Sequence, residues 1–245
     1  MEEVKDLKNI NFSLVCDFCN NHCSYCPSSD AMKTLEYNQL GTSELCERIK
    51  SFAEFLKEHE YKNEFEFLLM DTKCNINNEV FSTIQGLKEE GLNVNICMND
   101  LDITAIAPAS FNIPTIKHIL TIEELKKENS EELKCFVVTR ENYKEIVKKD
   151  NVIYIVDFFE KDNEIKKEIK KTFKELDIKE YNCCFGKFCF NESKNMNLLL
   201  TNGDLFLVCS EEPYAYIKVG YFDFESKKMF LDFEKLKCNK NCSFK

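Results

Sequence analysis

Three cysteines near the amino end, Cys19, Cys23 and Cys26, have the spacing C-x3-C-x2-C. Core packing does not explain them, because successive turns of one short loop would all have to be buried. Thiolates on such a loop can instead surround one compact metal centre, and iron–sulfur clusters are held in this way. Structural zinc usually takes two ligand pairs separated by a longer loop, although Cys16, counted as a fourth thiol, keeps a tight zinc site open as the alternative.

A second group of cysteines lies in the last part of the chain, which has 14 cysteines in all. This group consists of Cys183, Cys184, Cys189, Cys209, Cys238 and Cys242. In a reducing compartment such residues are interpreted as thiols or metal ligands before disulfides. We therefore expect a second metal site in this region, and four more cysteines in or beside predicted elements are expected to be core thiols: Cys46, Cys74, Cys97 and Cys135.

Strand and helix patterns alternate through most of the remaining sequence and must position these cysteines. Strands are predicted at 10–16, 65–70, 93–98, 135–139 and 152–159, with a weaker one at 103–107. Helices are predicted at 43–57, 78–90 and 162–176, and the capping-box spacing of Thr121 and Glu124 opens another. Repeated strand–helix–strand units predict an α/β fold with a parallel sheet.

The pattern changes after residue 180, where helical periodicity is weak and Asn202-Gly203-Asp204 predicts a hairpin turn. We therefore predict two parts, an α/β body over 1–180 and a small cysteine-rich module over 181–245. The module has too little apolar surface to fold without a metal that holds it together.

Composition excludes several classes of function. The net charge of −10 is spread along all 245 residues without a basic block, so no nucleic-acid partner is expected. No apolar run approaches the roughly 20 residues of a membrane span, and residues 1–8 lack the apolar core of a signal peptide. Only 6 glycines are present, which argues against a glycine-rich phosphate loop. A cytoplasmic protein without a membrane partner is predicted.

The segment Cys19-Asn-Asn-His-Cys23-Ser-Tyr-Cys26, placed after the first strand, resembles the signature of the radical S-adenosylmethionine (SAM) superfamily. The resemblance implies that the three thiolates bind three irons of a [4Fe–4S] cluster and that the fourth iron chelates SAM. Reductive cleavage of SAM then gives a 5′-deoxyadenosyl radical, which abstracts hydrogen from a substrate. It also implies a partial (β/α)6 TIM-like barrel with its site at the carboxyl ends of the strands.

The same resemblance assigns SAM contacts to three residues that follow strands: Asp71, Asn99 and Arg140. Where family members often have Gly-Gly-Glu-Pro, this chain has Met70-Asp71-Thr72-Lys73, so Asp71 or backbone carbonyls would replace that contact. Asn99, in Met98-Asn99-Asp100, stands where the family frequently has Thr-Asn-Gly, and a residue that only turns the chain is the alternative. Arg140 has the planar donor geometry that suits the carboxylate of SAM, and a surface ion pair is the alternative.

The tail resembles the auxiliary-cluster modules called SPASM or twitch. The start of that pattern is matched by Cys189, a gap of 13 residues, Gly203, a gap of five residues and Cys209. Cys238 and Cys242 supply a final pair. The implied ligands of one auxiliary [4Fe–4S] cluster are Cys189, Cys209, Cys238 and Cys242, with Cys183 or Cys184 as the first substitute. A zinc site built from the same thiols is the alternative.

The leading functional hypothesis is a radical SAM oxidoreductase or maturase, reduced by a flavodoxin or ferredoxin. The layout resembles the 2-deoxy-scyllo-inosamine dehydrogenase type, which implies oxidation of a small sugar-like alcohol, and modification of a peptide is also open. The alternative is a non-catalytic or degenerate iron–sulfur or zinc protein that acts in electron transfer or as a scaffold.

Overall fold

The computed structural model describes residues 1–16, 40–69, 76–98, 111–157, 160, 162–179, 196–209 and 215–236, and at 196–197, 208–209 and 215–216 it describes the backbone only. The helices of this part are α1 (Thr42–Glu58), α2 (Asn78–Glu89), α3 (Ile122–Lys127), α4 (Asn163–Glu175) and α5 (Phe233–Leu236). None of them is long and apolar enough to cross a membrane.

The strands are β1 (Glu2–Glu3), β2 (Ile10–Val15), β3 (Phe65–Leu69), β4 (Val94–Met98), β5 (Thr115–Ile119), β6 (Lys134–Val138), β7 (Val152–Val156), β8 (Met196–Thr201), β9 (Asp204–Cys209), β10 (Ala215–Asp223) and β11 (Lys228–Leu231). They form an 11-stranded sheet in the order β1-β11-β10-β9-β8-β2-β3-β4-β5-β6-β7. Strands β2 to β7 are parallel and lie in chain order. The predicted α/β class is confirmed, and the described strands form an open sheet.

The longer helices, α1 to α4, pack on the same face of this sheet. The side chains of Phe12, Phe67 and Ile96 lie on one face of the sheet, in a core that also contains the buried faces of α1 and α2. Ile96 pairs with Thr115 in β5, and the register of β5 with β6 continues this face to the side of β6 that packs with α3 and α4. Right-handed crossovers between strands in chain order require this arrangement, because each helix then returns over the same face.

The helix-side core is rich in phenylalanine. The ring of Phe52 in α1 lies 5.2 Å from the ring of Phe12 and 4.9 Å from that of Phe222, both in edge-to-face geometry. All three side chains are buried. Burying one such side chain contributes about 1.5–3 kcal/mol, so this cluster fixes α1 against strands from both ends of the sequence.

The other face of the sheet is also buried, although no described helix packs on it. Five side chains on this side are each at most 7% exposed: Val15, Leu68, Cys97, Leu199 and Phe206. Burial on both faces is typical of parallel strands, so the sequences of such strands are nearly continuous apolar runs. We call this surface the second face of the sheet.

Most predicted elements of the body are confirmed, and the prediction misses two strands, the two-residue β1 and β5. Helices α1, α2 and α4, the capping box at Thr121 and five of the predicted strands are present. Strand β5 was not predicted, because Pro114 precedes it and Lys117 and His118 interrupt its apolar residues. The weaker strand predicted at 103–107 lies outside the described residues.

The last four strands extend the same sheet instead of forming a second one. Strand β8 pairs in parallel with β2, and β9, β10 and β11 follow in antiparallel order. The predicted hairpin is confirmed, since Thr201 pairs with Asp204, and Asn202 and Gly203 have φ values of 50° and 90° that favour a tight turn of this kind. The predicted division after residue 180 falls outside the described residues and stays a prediction.

Candidate functional site

The parallel strands β2, β3, β4 and β6 end at one edge of the sheet, and in the sequence the predicted cluster loop and SAM contacts follow these strand ends. The Cys16 backbone N–H donates to the carbonyl of Leu68 at 3.1 Å, which continues the β2–β3 ladder to the carboxyl end of β2. Cys16 itself is buried in the helix-side core. The predicted ligands Cys19, Cys23 and Cys26 follow it in sequence and lie outside the described residues.

Two of the predicted SAM contacts follow neighbouring strands in the same way. Asp71 comes two residues after the end of β3 and Asn99 comes directly after β4. Both residues lie outside the described residues. Because parallel strands end at the same edge, the chain leaves β2, β3 and β4 on one side of the sheet, and these two assignments stay predictions.

Arg140, two residues beyond the end of β6, forms an ion pair with Glu160. Its Nε donates to Glu160 Oε2 at 2.9 Å and its Nη2 donates to Oε1, so the contact is bidentate. The Glu160 side chain is 2% exposed, whereas that of Arg140 is 52% exposed. The hydrogen bonds that Arg140 donates lower the pKa of Glu160, and the same contact raises the pKa of Arg140. The guanidinium therefore has the bidentate geometry expected for a carboxylate, and its present partner is a protein carboxylate.

One predicted auxiliary ligand, Cys209, has its backbone at the opposite edge of the sheet. Strand β9 runs antiparallel to β8, so it ends with Cys209 at the edge where β2 and β8 begin. Cys189 lies in the segment that leads into the start of β8. Cys238 follows α5, where Lys235 Nζ donates to the carbonyl of Lys218 at 3.4 Å. Cys189, Cys238, Cys242 and the side chain of Cys209 lie outside the described residues.

Within the part of the chain that the structure describes, no three histidine, cysteine or acidic side chains are grouped so that they could hold a metal ion. Cys46, Cys97 and Cys135, expected as core thiols, are buried there. The side chains of all seven predicted metal ligands lie outside the described part of the chain.

A row of polar side chains crosses three strands on the second face. Ser13 in β2, Glu66 in β3 and Asn95 in β4 are direct neighbours in the strand register. Ser13 Oγ donates to Glu66 Oε2 at 2.8 Å. Burial raises the pKa of Glu66 to about 7, although the hydrogen bond from Ser13 lowers it in part. We call Ser13, Glu66 and Asn95 the polar row.

A thiol–imidazole pair lies beside the polar row. Cys97, two residues after Asn95, has its Sγ 3.2 Å from Nε2 of His118 in β5. Burial lowers the pKa of His118 to about 4, so its ring is uncharged at neutral pH. The second face thus holds ionisable groups in a desolvated setting, where shifted pKa values are often associated with function.

Sequence reasoning missed the polar row and the thiol–imidazole pair. One signal is available, since β3 and β4 each carry one polar residue in an otherwise apolar run of five, and β2 carries two, Asn11 and Ser13, among six. Such residues are unusual in strands that are buried on both faces. Their alignment depends on the strand register, which the sequence alone does not supply.

The comparison with protein-family models finds none that matches the chain, and the comparison with curated protein sequences finds no significant match.

Proposed function

We propose that the chain is a radical SAM enzyme in which Cys19, Cys23 and Cys26 hold a [4Fe–4S] cluster. The observation that supports this most is the place of the C-x3-C-x2-C motif in the sequence, shortly after the first of six parallel strands in chain order. Three closely spaced thiolates fit the donor chemistry of such a cluster. When bound, it would supply the electron that cleaves SAM to a hydrogen-abstracting 5′-deoxyadenosyl radical.

The arrangement of the body supports a partial (β/α)6 barrel as the finer description of the fold. The chain-order strands and the packing of α1 to α4 on one face are the features of a barrel wall. A doubly wound sheet would instead carry helices on both faces. In a barrel, the second face would be the interior and its polar row would face the reaction space.

Three residues of this chain are proposed to position SAM at the carboxyl edge. Asp71 and Asn99 would contribute polar contacts from the ends of β3 and β4. Arg140 would bind the carboxylate of SAM through the bidentate geometry that it now uses towards Glu160. SAM would therefore have to compete with Glu160 or to share the guanidinium with it.

The tail would hold an auxiliary [4Fe–4S] cluster through Cys189, Cys209, Cys238 and Cys242, with Cys183 or Cys184 as a substitute ligand. This layout supports oxidation of a small sugar-like alcohol, and a peptide is the second substrate class. We place the enzyme in the cytoplasm, with a flavodoxin or ferredoxin as its reductant.

The test is reductive cleavage of SAM by the anaerobically reconstituted protein. With dithionite and SAM we expect 5′-deoxyadenosine, detected by mass spectrometry, and a spectrum typical of [4Fe–4S]. Replacing Cys19, Cys23 and Cys26 together by Ala should abolish product formation, a loss of at least 100-fold, and remove the iron of one cluster. The matched control is Cys46→Ala, a buried thiol in α1 that should leave cleavage intact.

Cleavage retained by the triple variant would contradict the assignment. Intact SAM beside a well-formed cluster would favour the non-catalytic iron–sulfur alternative, for which the absence of glycine in Met70-Asp71-Thr72-Lys73 is the best support. Zinc without iron or labile sulfide would identify the metal as structural.

A further inference from the structure

The polar row leaves an acceptor without a donor among the described residues. Asn95 is 9% exposed, and its Oδ1 is buried with no hydrogen-bond partner among the described residues. It is the one buried side-chain atom of that kind in the described part. A buried acceptor without a partner is costly and needs an explanation, of which a missing ligand is one.

The neighbouring carboxyl group adds a second acceptor and a charge. Glu66 lies beside Asn95 in the register, within reach of a group that contacts both, since neighbouring strands are about 4.8 Å apart. Ser13 occupies only Oε2 of Glu66 in the contact at 2.8 Å. The polar row therefore presents hydrogen-bond acceptors to whatever lies over it.

The charges around Glu66 favour a cation. Of the neighbours that face Glu66, Ser13 and Asn95 do not titrate near neutral pH, and Glu64 is an acid whose charge raises the pKa of Glu66. No lysine or arginine of the described residues shifts that pKa. The nearby His118 is uncharged at neutral pH, since burial lowers its pKa to about 4, so it does not repel a positive ligand.

We propose that the polar row binds the protonated primary amine of a small ligand, which donates one N–H to Glu66 and another to Asn95 Oδ1. An ammonium group offers three donors and no acceptor, so it matches the two acceptors that Glu66 and Asn95 Oδ1 present. A hydroxyl group offers one donor and no charge. Identifying this ligand as the substrate rests on the proposed function, whereas the binding site itself does not.

The experiment compares two probes of similar size, cyclohexylammonium and cyclohexanol, by ligand-observed NMR on the anaerobically purified protein with its metal. At pH 8 we expect the ammonium probe to bind at least tenfold more tightly than the alcohol. Glu66→Gln should weaken ammonium binding at least tenfold, and the matched control Glu47→Gln, on the exposed face of α1, should not. Affinity should rise as the pH rises through about 7, because Glu66 ionises there.

A second variant keeps the test decisive if Glu66→Gln does not fold. Asn95→Leu removes the unpaired acceptor, so the ligand-free protein should unfold at a higher urea concentration while ammonium binding weakens several-fold. Equal binding of both probes, unchanged affinity in Glu66→Gln, or unchanged affinity in Asn95→Leu would each overturn the proposal. The titrations omit SAM and reductant, so their failure and a failure of SAM cleavage are separate results.

Discussion

At the scale of single residues, the structure adds chemistry that the cysteine motifs do not contain. Glu66 is a carboxyl group with a pKa raised to about 7 inside a strand whose other side chains are apolar. Its neighbours Ser13 and Asn95 come from strands that are distant in sequence. The sequence identified the cysteine groups because their meaning lies in local spacing, whereas the polar row exists only after the register is formed.

Glu66 should make the stability of the protein depend on pH in an identifiable way. Its pKa is about 7 when folded and about 4.5 when unfolded, so the folded state binds more protons between these values. The free energy of unfolding should therefore fall as the pH rises from about 4.5 to 7, by about 3 kcal/mol at most. Glu66→Gln should remove this decrease, as measured by urea unfolding at several pH values.

Other acids also titrate in this window, so the comparison with a control is essential. Glu47→Gln, at an exposed position of α1, should keep the wild-type slope. A parallel pH profile for Glu66→Gln and the wild type would mean that the Glu66 carboxyl is not desolvated as the structure indicates.

Arg140 illustrates what the position of a residue after a strand can and cannot predict. Its place beyond β6 follows from the strand pattern. Its bidentate hydrogen bonding to a carboxylate follows from the planar geometry of the guanidinium group. The partner Glu160 stands beyond the next strand and could not be selected from the many acidic residues of the chain.

At the scale of elements, local chemistry makes the helices predictable but does not reveal strand β5. Asn77 accepts hydrogen bonds from the N–H groups of Glu79 and Val80, and Asp162 caps α4 in the same way. These caps act within a few residues, so the sequence shows them directly. Strand β5 instead gains its structure from its neighbours β4 and β6, because its own residues are mixed in polarity.

Two glycines should respond oppositely to the same substitution. Gly203 has a φ of 90°, and a Cβ there would lie 3.2 Å from the carbonyl oxygen of Phe222 and from the ring of Phe224. Gly86 lies within α2, with nothing within 4 Å of its Cβ position. Gly203→Ala should destabilise the protein by about 1–3 kcal/mol, and Gly86→Ala should stabilise it by about 0.5–1 kcal/mol. Thermal and urea unfolding measure both changes.

Comparing Gly203→Ala with Gly86→Ala distinguishes the effect of the β8–β9 turn on stability from the general effect of adding a methyl group. If Gly203→Ala were neutral while Gly86→Ala stabilised the protein, the β8–β9 turn would not require the positive φ that it has here. The hairpin was predictable for the same reason, since Asn-Gly is the dipeptide that such turns demand.

At the scale of the whole molecule, the strand order places Cys16 and the backbone of Cys209 at opposite edges of the sheet. The amino-terminal group follows the carboxyl end of β2, and β9 carries Cys209 towards the opposite edge. Ile10 and Cys16 are six residue steps apart along β2, about 20 Å along the sheet. The sequence supplied both groups but not this separation, because it depends on the pairing of β8 with β2.

The body and the tail strands share one core, so they should unfold together. The ring of Phe222 in β10 lies 4.9 Å from Phe52 and 5.1 Å from Phe55 in α1, and Ser51 Oγ donates to the carbonyl of Phe224 at 3.2 Å. Leu198 in β8 belongs to the same buried cluster. Removing any of these contacts removes support from both parts of the sequence.

We therefore expect native-state hydrogen exchange to give equal opening free energies for the central amides of β3 and β10. Phe222→Ala should lower both by about 3–5 kcal/mol, because it leaves a cavity beside α1. The exposed substitution Phe233→Ala, at the start of α5, is the control and should change them by less than about 0.5 kcal/mol. If β10 opened well before β3, or if Phe222→Ala affected β10 alone, the tail would be an independent unit stabilised by its own metal. Equal values would instead mean that the helix-side core, formed across β2 and β8, determines the stability of the whole chain.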